Sequence, residues 1–335
     1  MIILSLIKMK DQVFKVLKII IPIAIGVYLT WFFISNSTEI EKQYFLQSFN
    51  EANYGWIFIA LFLAFLSHLS RAYRWKYLLE PLGYKPKLSL MYHSVMIGYV
   101  INLTIPRSGE LARAGYFSKY QKASPDKIFG TIIVERVVDL LMFGLVILIT
   151  FLFQVDQEQL TSFNTLKSQS LPSWVLPIML VLFLLGLILI LAVKKLRSKA
   201  MGFIKGIIEG SLTILKLKNK IAFILHTFFI WSAYVGMFWI TALAVPEMDS
   251  ISIKALFACF VAGAIAIGAT PGGIGLYPIM VAAVLTNMYG YQGEVAKSFS
   301  MLMWSTQTIF IVFLGLLSLI LIKNKKEHLS NSIDA

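Results

Sequence analysis

Only one cysteine, Cys259, stands in the 335-residue chain, and it lies inside an apolar run, which excludes disulfides and thiolate metal clusters. Histidine is nearly as scarce. His68, His93, His226 and His328 are scattered without ligand spacing, so no metal is expected. Charged residues make up 14% of the chain against roughly 25% in a soluble domain, while 58% are hydrophobic and the mean hydropathy is +0.77. A soluble protein is thereby excluded. No nucleophile motif or nucleotide-binding loop is found, so no cofactor is expected. No small-residue cleavage site follows the first apolar run, and the start MIILSLIKMKDQVFKVLK reads as the basic flank of a retained anchor.

What the chain does have is a series of apolar runs of about 20 residues, each long enough to cross a hydrocarbon core of about 30 Å as a helix. They lack the alternation of a β-barrel strand, so the expected class is all-α, a polytopic integral membrane protein. Full spans fit from Ile19 to Ile34 and near 55–76, 128–152, 174–193, 221–245 and 298–322, about six in all. Two further apolar regions, 89–120 and 255–289, are interrupted by proline and glycine and read as re-entrant hairpins of broken helices. The whole of 1–335 reads as one membrane domain.

The net charge of +13 takes its meaning from its placement. With the N-terminus cytoplasmic, the inner segments 1–18, 71–88, 107–127, 194–220 and 323–335 hold 25 of the 30 basic residues, and the outer ones hold Lys42, Lys167, Lys254 and Lys297. This is the positive-inside signature of a cytoplasmic membrane protein with both termini inside, so nucleic acid is not an expected partner. The count also requires 89–120 to re-enter from the cytoplasm, and by parity 255–289 re-enters from the other side. The stretch 194–220 is amphipathic and suits the inner leaflet.

The two interrupted regions resemble each other: GYVINLTIPRSGELARAGYF at 98–117 and GAIAIGATPGGIGLYPIMVA at 263–282. Such similarity between segments of opposite topology suggests an inverted-repeat transporter, with its site where discontinuous helices meet near the midplane. The helix resuming after Pro106 would aim free N–H groups at a phosphate, with Arg107, Ser108, Gly109 and Arg113 as its ligands. Pro271, Gly272, Gly273 and Gly275 would form the opposing hairpin.

Ionisable groups inside a span cost about 2.5–3.5 kcal/mol each and almost always face a cavity or a partner. The run GTIIVERVVDLLMFGLVI holds Glu135, Arg136 and Asp139. Spacing places Glu135 and Asp139 on one face and lets Arg136 pair with Asp139, leaving one charge for Arg107 or Arg113. Asn102 and Glu110 join the same polar path or ion network. Arg71 and Arg74, at the inner end of the second span, read as snorkelling anchors and stand as secondary candidates.

RxxRWxxLL at 71–79, the stretch from Gly98 through Asn102 to Arg113, E-R-V-x-D at 135–139 and P-G-G-I-G at 271–275 together resemble the lysylphosphatidylglycerol synthase transmembrane-region family, also called flippase-like or UPF0104. The resemblance covers nearly the whole chain. It implies a membrane module that moves an aminoacylated anionic phospholipid between leaflets, followed in the multiple-peptide-resistance proteins by a soluble aminoacyl transferase domain. Only a short segment to Ala335 follows the last span near 298–322, so lysyl transfer is not expected here. Tyr277-Pro278 follows PGGIG where many relatives carry a glutamate, which implies a different substrate if that acid chooses the headgroup.

Three functions stay open on the sequence. The leading one is a lipid transporter, flippase or scramblase, for a phosphate-bearing amphiphile: an anionic phospholipid, a glycolipid or a polyprenyl phosphate. An intramembrane lipid-modifying enzyme would use Glu110, Glu135 or Asp139 as acid or base. A non-catalytic partner of an envelope glycosyltransferase would co-purify with that enzyme. Oligomeric state is not legible.

Overall fold

The computed structural model describes residues 24–104, 108–154, 197–198, 201–202, 205 and 214–331, with side-chain surroundings as far as 321. The expected span at 174–193, most of the amphipathic 194–220 stretch and Arg107 lie outside the described residues. Among the described residues the regular structure is helical, without strands. The chain divides into two compact units, 1–132 with 221–335 and 133–220.

In the first unit, α1 (Ala24–Ser35) leads to α2 (Glu39–Glu51), which starts with a capping box: Thr38 Oγ1 accepts from the Glu41 N–H, and Glu41 Oε2 accepts from the Thr38 N–H. α3 (Tyr54–Leu79) begins where Asn53 accepts from the Gly55 N–H and ends in a 3₁₀ turn over Glu80–Leu82. Then follow α4 (Leu88–Thr104), α5 (Gly109–Gln121) and α6 (Pro125–Gln154). After the second unit come α7 (Lys220–Ala242), α8 (Ile253–Ala269), α9 (Leu276–Tyr289) and α10 (Gly293–Asn331).

Tyr54–Leu82, Lys220–Ala242 and Gly293–Leu321 are long and apolar enough to cross a membrane. α1, α4, α8 and α9 are shorter apolar helices. Large apolar side chains are exposed along α3, α7 and α10, among them Phe62, Leu225, Phe229, Phe313 and Ile320. A protein in water would bury such continuous faces; here they are what lipid wets. This is a helical membrane protein. The expected segment 128–152 is one continuous helix, and each interrupted region is a pair of helices: α4 with α5, and α8 with α9.

The core of the first unit is built by α7 to α10 and the α2–α3 junction, with Ile57, Phe238, Cys259, Val281, Leu285 and Phe299 at its centre. α2 is strapped to it by polar contacts. Lys297 Nζ donates to Glu41 Oε2 at 2.7 Å, Tyr44 donates to Glu247, and the Asn53 N–H donates to the Ala244 carbonyl at 2.9 Å. Glycines set the closest helix approaches. A Cβ on Gly315 would lie 2.6 Å from Val100 Cβ, so this glycine lets α10 pack on α4.

Candidate functional site

The first break is closed by its own residues. α5 starts at Gly109, whose N–H donates to Asn102 Oδ1 at 2.7 Å, while Asn102 Nδ2 donates to Glu110 Oε2 at 3.5 Å. Asn102, still inside α4, thus caps the helix that resumes seven residues later. This corrects the expectation that the helix after Pro106 presents free N–H groups from its start. The first N–H is satisfied because α4 and α5 touch backbone to backbone. A Cβ on Gly98 would lie 2.9 Å from the Gly109 carbonyl oxygen, and one on Gly109 would collide with the Gly98 carbonyl and lie 2.6 Å from Asn102 Cγ. Ser108 occupies the N-cap position without a side-chain capping bond.

The second break is a tight turn in which Gly272, Gly273 and Gly275 have φ of +59°, +76° and +71°, conformations that L side chains rarely adopt. The turn is packed from three directions. A Cβ on Gly272 would strike the Leu103 side chain, and one on Gly275 would lie 2.5 Å from Leu29 Cβ and 2.6 Å from the Gly26 carbonyl. From the third side Trp304 Nε1 donates to the Gly272 carbonyl at 2.9 Å. Pro271 and Gly273 are buried. Tyr277 one turn later is also buried, and its ring fills the place a Cβ on Gly263 would need, only 2.5 Å from Cε2. Because Leu103 lies one residue before the end of α4, the two breaks meet tip to tip.

Three guanidinium groups are buried in the same unit. Arg71 and Arg74 are 3% and 0% exposed, which corrects their reading as snorkelling anchors. α7 explains the difference. Arg74 donates to Thr227 Oγ1 at 2.9 Å and lies 5.2 Å from the Phe223 ring centre, and Arg71 donates to the Tyr234 hydroxyl at 3.2 Å. Arg113 on α5 is 3% exposed and stacks 3.7 Å from the centre of the Trp75 ring, a cation–π geometry. Trp75 is held in turn by a hydrogen bond to Thr131 at 2.8 Å and by the Phe117 ring at 4.8 Å. His68, 5% exposed, sits edge-on to Tyr99 one turn before Arg71.

In the second unit, Arg136 and Asp139 pair at 3.4 Å as the spacing predicts, and Glu135 and Asp139 are 0% and 8% exposed. Those two carboxylates share a buried face of α6 (Pro125–Gln154). Among the described residues no group of His, Cys, Asp and Glu has the arrangement to hold a metal ion.

Of the residues picked out in the sequence, the structure brings Asn102, Gly109 and Glu110 together, sets Arg113 one helical turn away, packs the Pro271–Gly273 turn against the end of α4 through Gly272, and packs Gly275 against α1. Sequence reasoning missed Trp75, Thr227 and Tyr234. A signal was there: Thr227 and Tyr234 are polar residues seven apart in a largely apolar span, which places both on one helical face.

Comparison with known proteins agrees with this picture. The model of the lysylphosphatidylglycerol synthase TM region matches residues 19–315. A UPF0104 membrane protein of Methanocaldococcus jannaschii is 31% identical over 123 residues, which is 36% of this chain and 35% of that relative, so the match spans about a third of either protein. No solved structure matches. With a family match over most of its length, and with the paired breaks and buried arginines on motifs that pointed the same way, the chain belongs to the lysylphosphatidylglycerol synthase transmembrane-region family.

Proposed function

We propose that this protein moves a phosphate-bearing amphiphile between the leaflets of the cytoplasmic membrane, without a chemical step of its own. The observation that carries the reading is the meeting of two helix breaks, Leu103 at the end of α4 against Gly272 in the turn between α8 and α9. Broken helices are tolerated at membrane depth where they line a path, and the dipoles at their ends suit an ionic headgroup. In this reading α4–α5 and α8–α9 are re-entrant hairpins entering from opposite faces, related as inverted repeats, in a chain of about six full spans. Both termini are cytoplasmic.

The phosphate would pass the buried guanidinium groups. Arg113, whose guanidinium carbon lies 3.7 Å from the centre of the Trp75 ring, would meet the phosphate, which a guanidinium recognises through two parallel N–H bonds. Arg71 and Arg74, positioned by Tyr234 and Thr227, would extend the cationic track along α3. Arg107 and Ser108 would meet the headgroup at the first break, and Glu135, Arg136 and Asp139 are the further candidates for a polar path or ion network.

The test is leaflet exchange in phosphatidylcholine liposomes carrying a trace of fluorescent phosphatidylglycerol, with dithionite bleaching the outer leaflet. Wild-type protein is expected to expose the inner-leaflet label, and Arg113→Gln to slow exposure by about tenfold or more, the equivalent of about 1.4 kcal/mol. Arg113→Lys should recover little, because an ammonium lacks the planar fork. Bleaching that stops at half for phosphatidylglycerol, and equally for a labelled polyprenyl phosphate, would overturn the proposal. Chromatography of the extracted lipid separates movement from an enzymatic activity, which would return an altered lipid.

A further inference from the structure

Away from the breaks, α3 and α7 enclose a groove of about 510 Å³ whose walls include Leu66, Leu69 and Tyr73 on one side and Leu225 and Phe229 on the other, with Leu88 at the start of α4. Two polar groups reach it, Ser70 and His226, and they satisfy each other: Ser70 Oγ lies 2.7 Å from His226 Nδ1. The groove therefore offers its occupant an almost purely apolar wall. From Leu66 to Tyr73, and from Ala222 to Phe229, each wall is eight residues long, a rise of about 10 Å at 1.5 Å per residue. That is less than the depth of one leaflet, about 15 Å.

The length of the groove bears on its occupant: a wall of about 10 Å would grip only about a third of a helix crossing a ~30 Å core, whereas it matches a stretch of acyl chain within one leaflet. Charge is concentrated at one end. Lys76, in the last turn of α3, holds its ammonium 5.4 Å from the centre of the ring of groove-lining Tyr73, and Lys87 immediately precedes groove-lining Leu88. Lys85 is exposed nearby in the same link, and the one carboxylate paired with Lys76 is Glu80, at 3.6 Å.

We infer that this groove is a binding site for one anionic membrane lipid, an acyl chain lying between α3 and α7 and the phosphate meeting Lys76 and Lys87. None of its residues belongs to the break site, and the inference does not rest on the transport reading. A lipid held here would brace the two helices that carry Arg71, Arg74 and Thr227.

Photolabelling tests it directly. The full chain is reconstituted in phosphatidylcholine vesicles containing a trace of phosphatidylglycerol, or of phosphatidylcholine, with a diazirine on the acyl chain, and labelled peptides are mapped. Peptides covering Leu66–Tyr73 and Ala222–Phe229 should take up the phosphatidylglycerol probe at least threefold more than the phosphatidylcholine probe. In the Lys76→Gln, Lys87→Gln double variant that ratio should fall to near one. Leu225→Trp, which fills the groove from an exposed position, should suppress labelling of these peptides by both probes and leave labelling of the exposed face of α10 unchanged. Equal uptake of the two probes by wild-type protein, or a preference that survives the lysine changes, overturns the inference. Lipid exchange measured on the same preparations reports separately on the break site.

Discussion

Replacing Gly109 by alanine places a methyl group between two helix backbones that already touch. The new Cβ would collide with the Gly98 carbonyl oxygen and lie 2.6 Å from both Asn102 Cγ and Nδ2. Neither neighbour has room to move, since the carbonyl belongs to the middle of α4 and the Asn102 amide is the cap that accepts the Gly109 N–H at 2.7 Å. Overpacking of this kind costs about 1–3 kcal/mol, and losing the cap adds about 1 kcal/mol. Against that stands about 0.5–1 kcal/mol of improved helix propensity, which leaves a net loss of about 2–3 kcal/mol. Gly115 is the matched control: it lies in the same helix, exposed, with nothing within 4 Å of a built Cβ, so Gly115→Ala keeps only the propensity gain. Thermal unfolding of detergent-purified protein reads both. At about 2 °C per kcal/mol for a chain of this size, Gly109→Ala should lower the midpoint by about 4–6 °C and Gly115→Ala raise it by about 1–2 °C. If the two variants melt together, the close approach of α4 and α5 is not as described, and the capping role of Asn102 fails with it.

Three further outcomes follow from the same geometry. Gly275→Ala should prevent accumulation of folded protein, losing about 3 kcal/mol or more from positive φ and collision with α1, whereas Gly290→Ala at φ +70° in open space should cost only about 1–2 kcal/mol of backbone strain, as judged by monodisperse yield and melting. Thr227→Val removes an acceptor of the buried Arg74 with little change of shape and should cost about 1–3 kcal/mol in thermal unfolding, with Thr227→Ser restoring most of it. Glu41 is partly desolvated, which opposes ionisation, but its hydrogen bond to Lys297 and the Thr38 N–H wins and holds its carboxyl below the ordinary value of 4.5. A depressed carboxylate stabilises fully above pH 4.5 and loses that contribution as pH falls through its folded value. Glu41→Gln, which can keep the capping box, should thus melt earlier than wild type near neutrality and identically in acid. A gap that persists in acid would refute the ion pair as its source.

The membrane class, the continuous helix over 128–152 and both breaks could be read from apolar run length and from proline and glycine, because these are properties of a segment by itself. The Arg136–Asp139 pair was legible for the same reason, being three residues apart on one helix. What could not be read is which face meets which neighbour. Asn102 was visible as a polar residue near a break, but its role as the cap of α5 depends on two glycines bringing the backbones together. The arginines of α3 were misjudged because their partners lie 153 and 163 residues away on α7, and position near a helix end favours snorkelling when no partner is in view.

That misjudged helix explains how the first unit is tied together. Through Trp75, α3 carries Arg113 of α5 on its ring and Thr131 of α6 on its indole nitrogen. Through Arg71 and Arg74 it is bonded to α7, and through His68 it packs on Tyr99 of α4. Each contact buries a charge or polar ring in a membrane protein, where releasing it to hydrocarbon costs several kcal/mol, so α3 is held far more firmly than apolar packing alone would hold it. Among the described residues the tips of the two breaks meet through Leu103, glycine backbone and an indole hydrogen bond from Trp304.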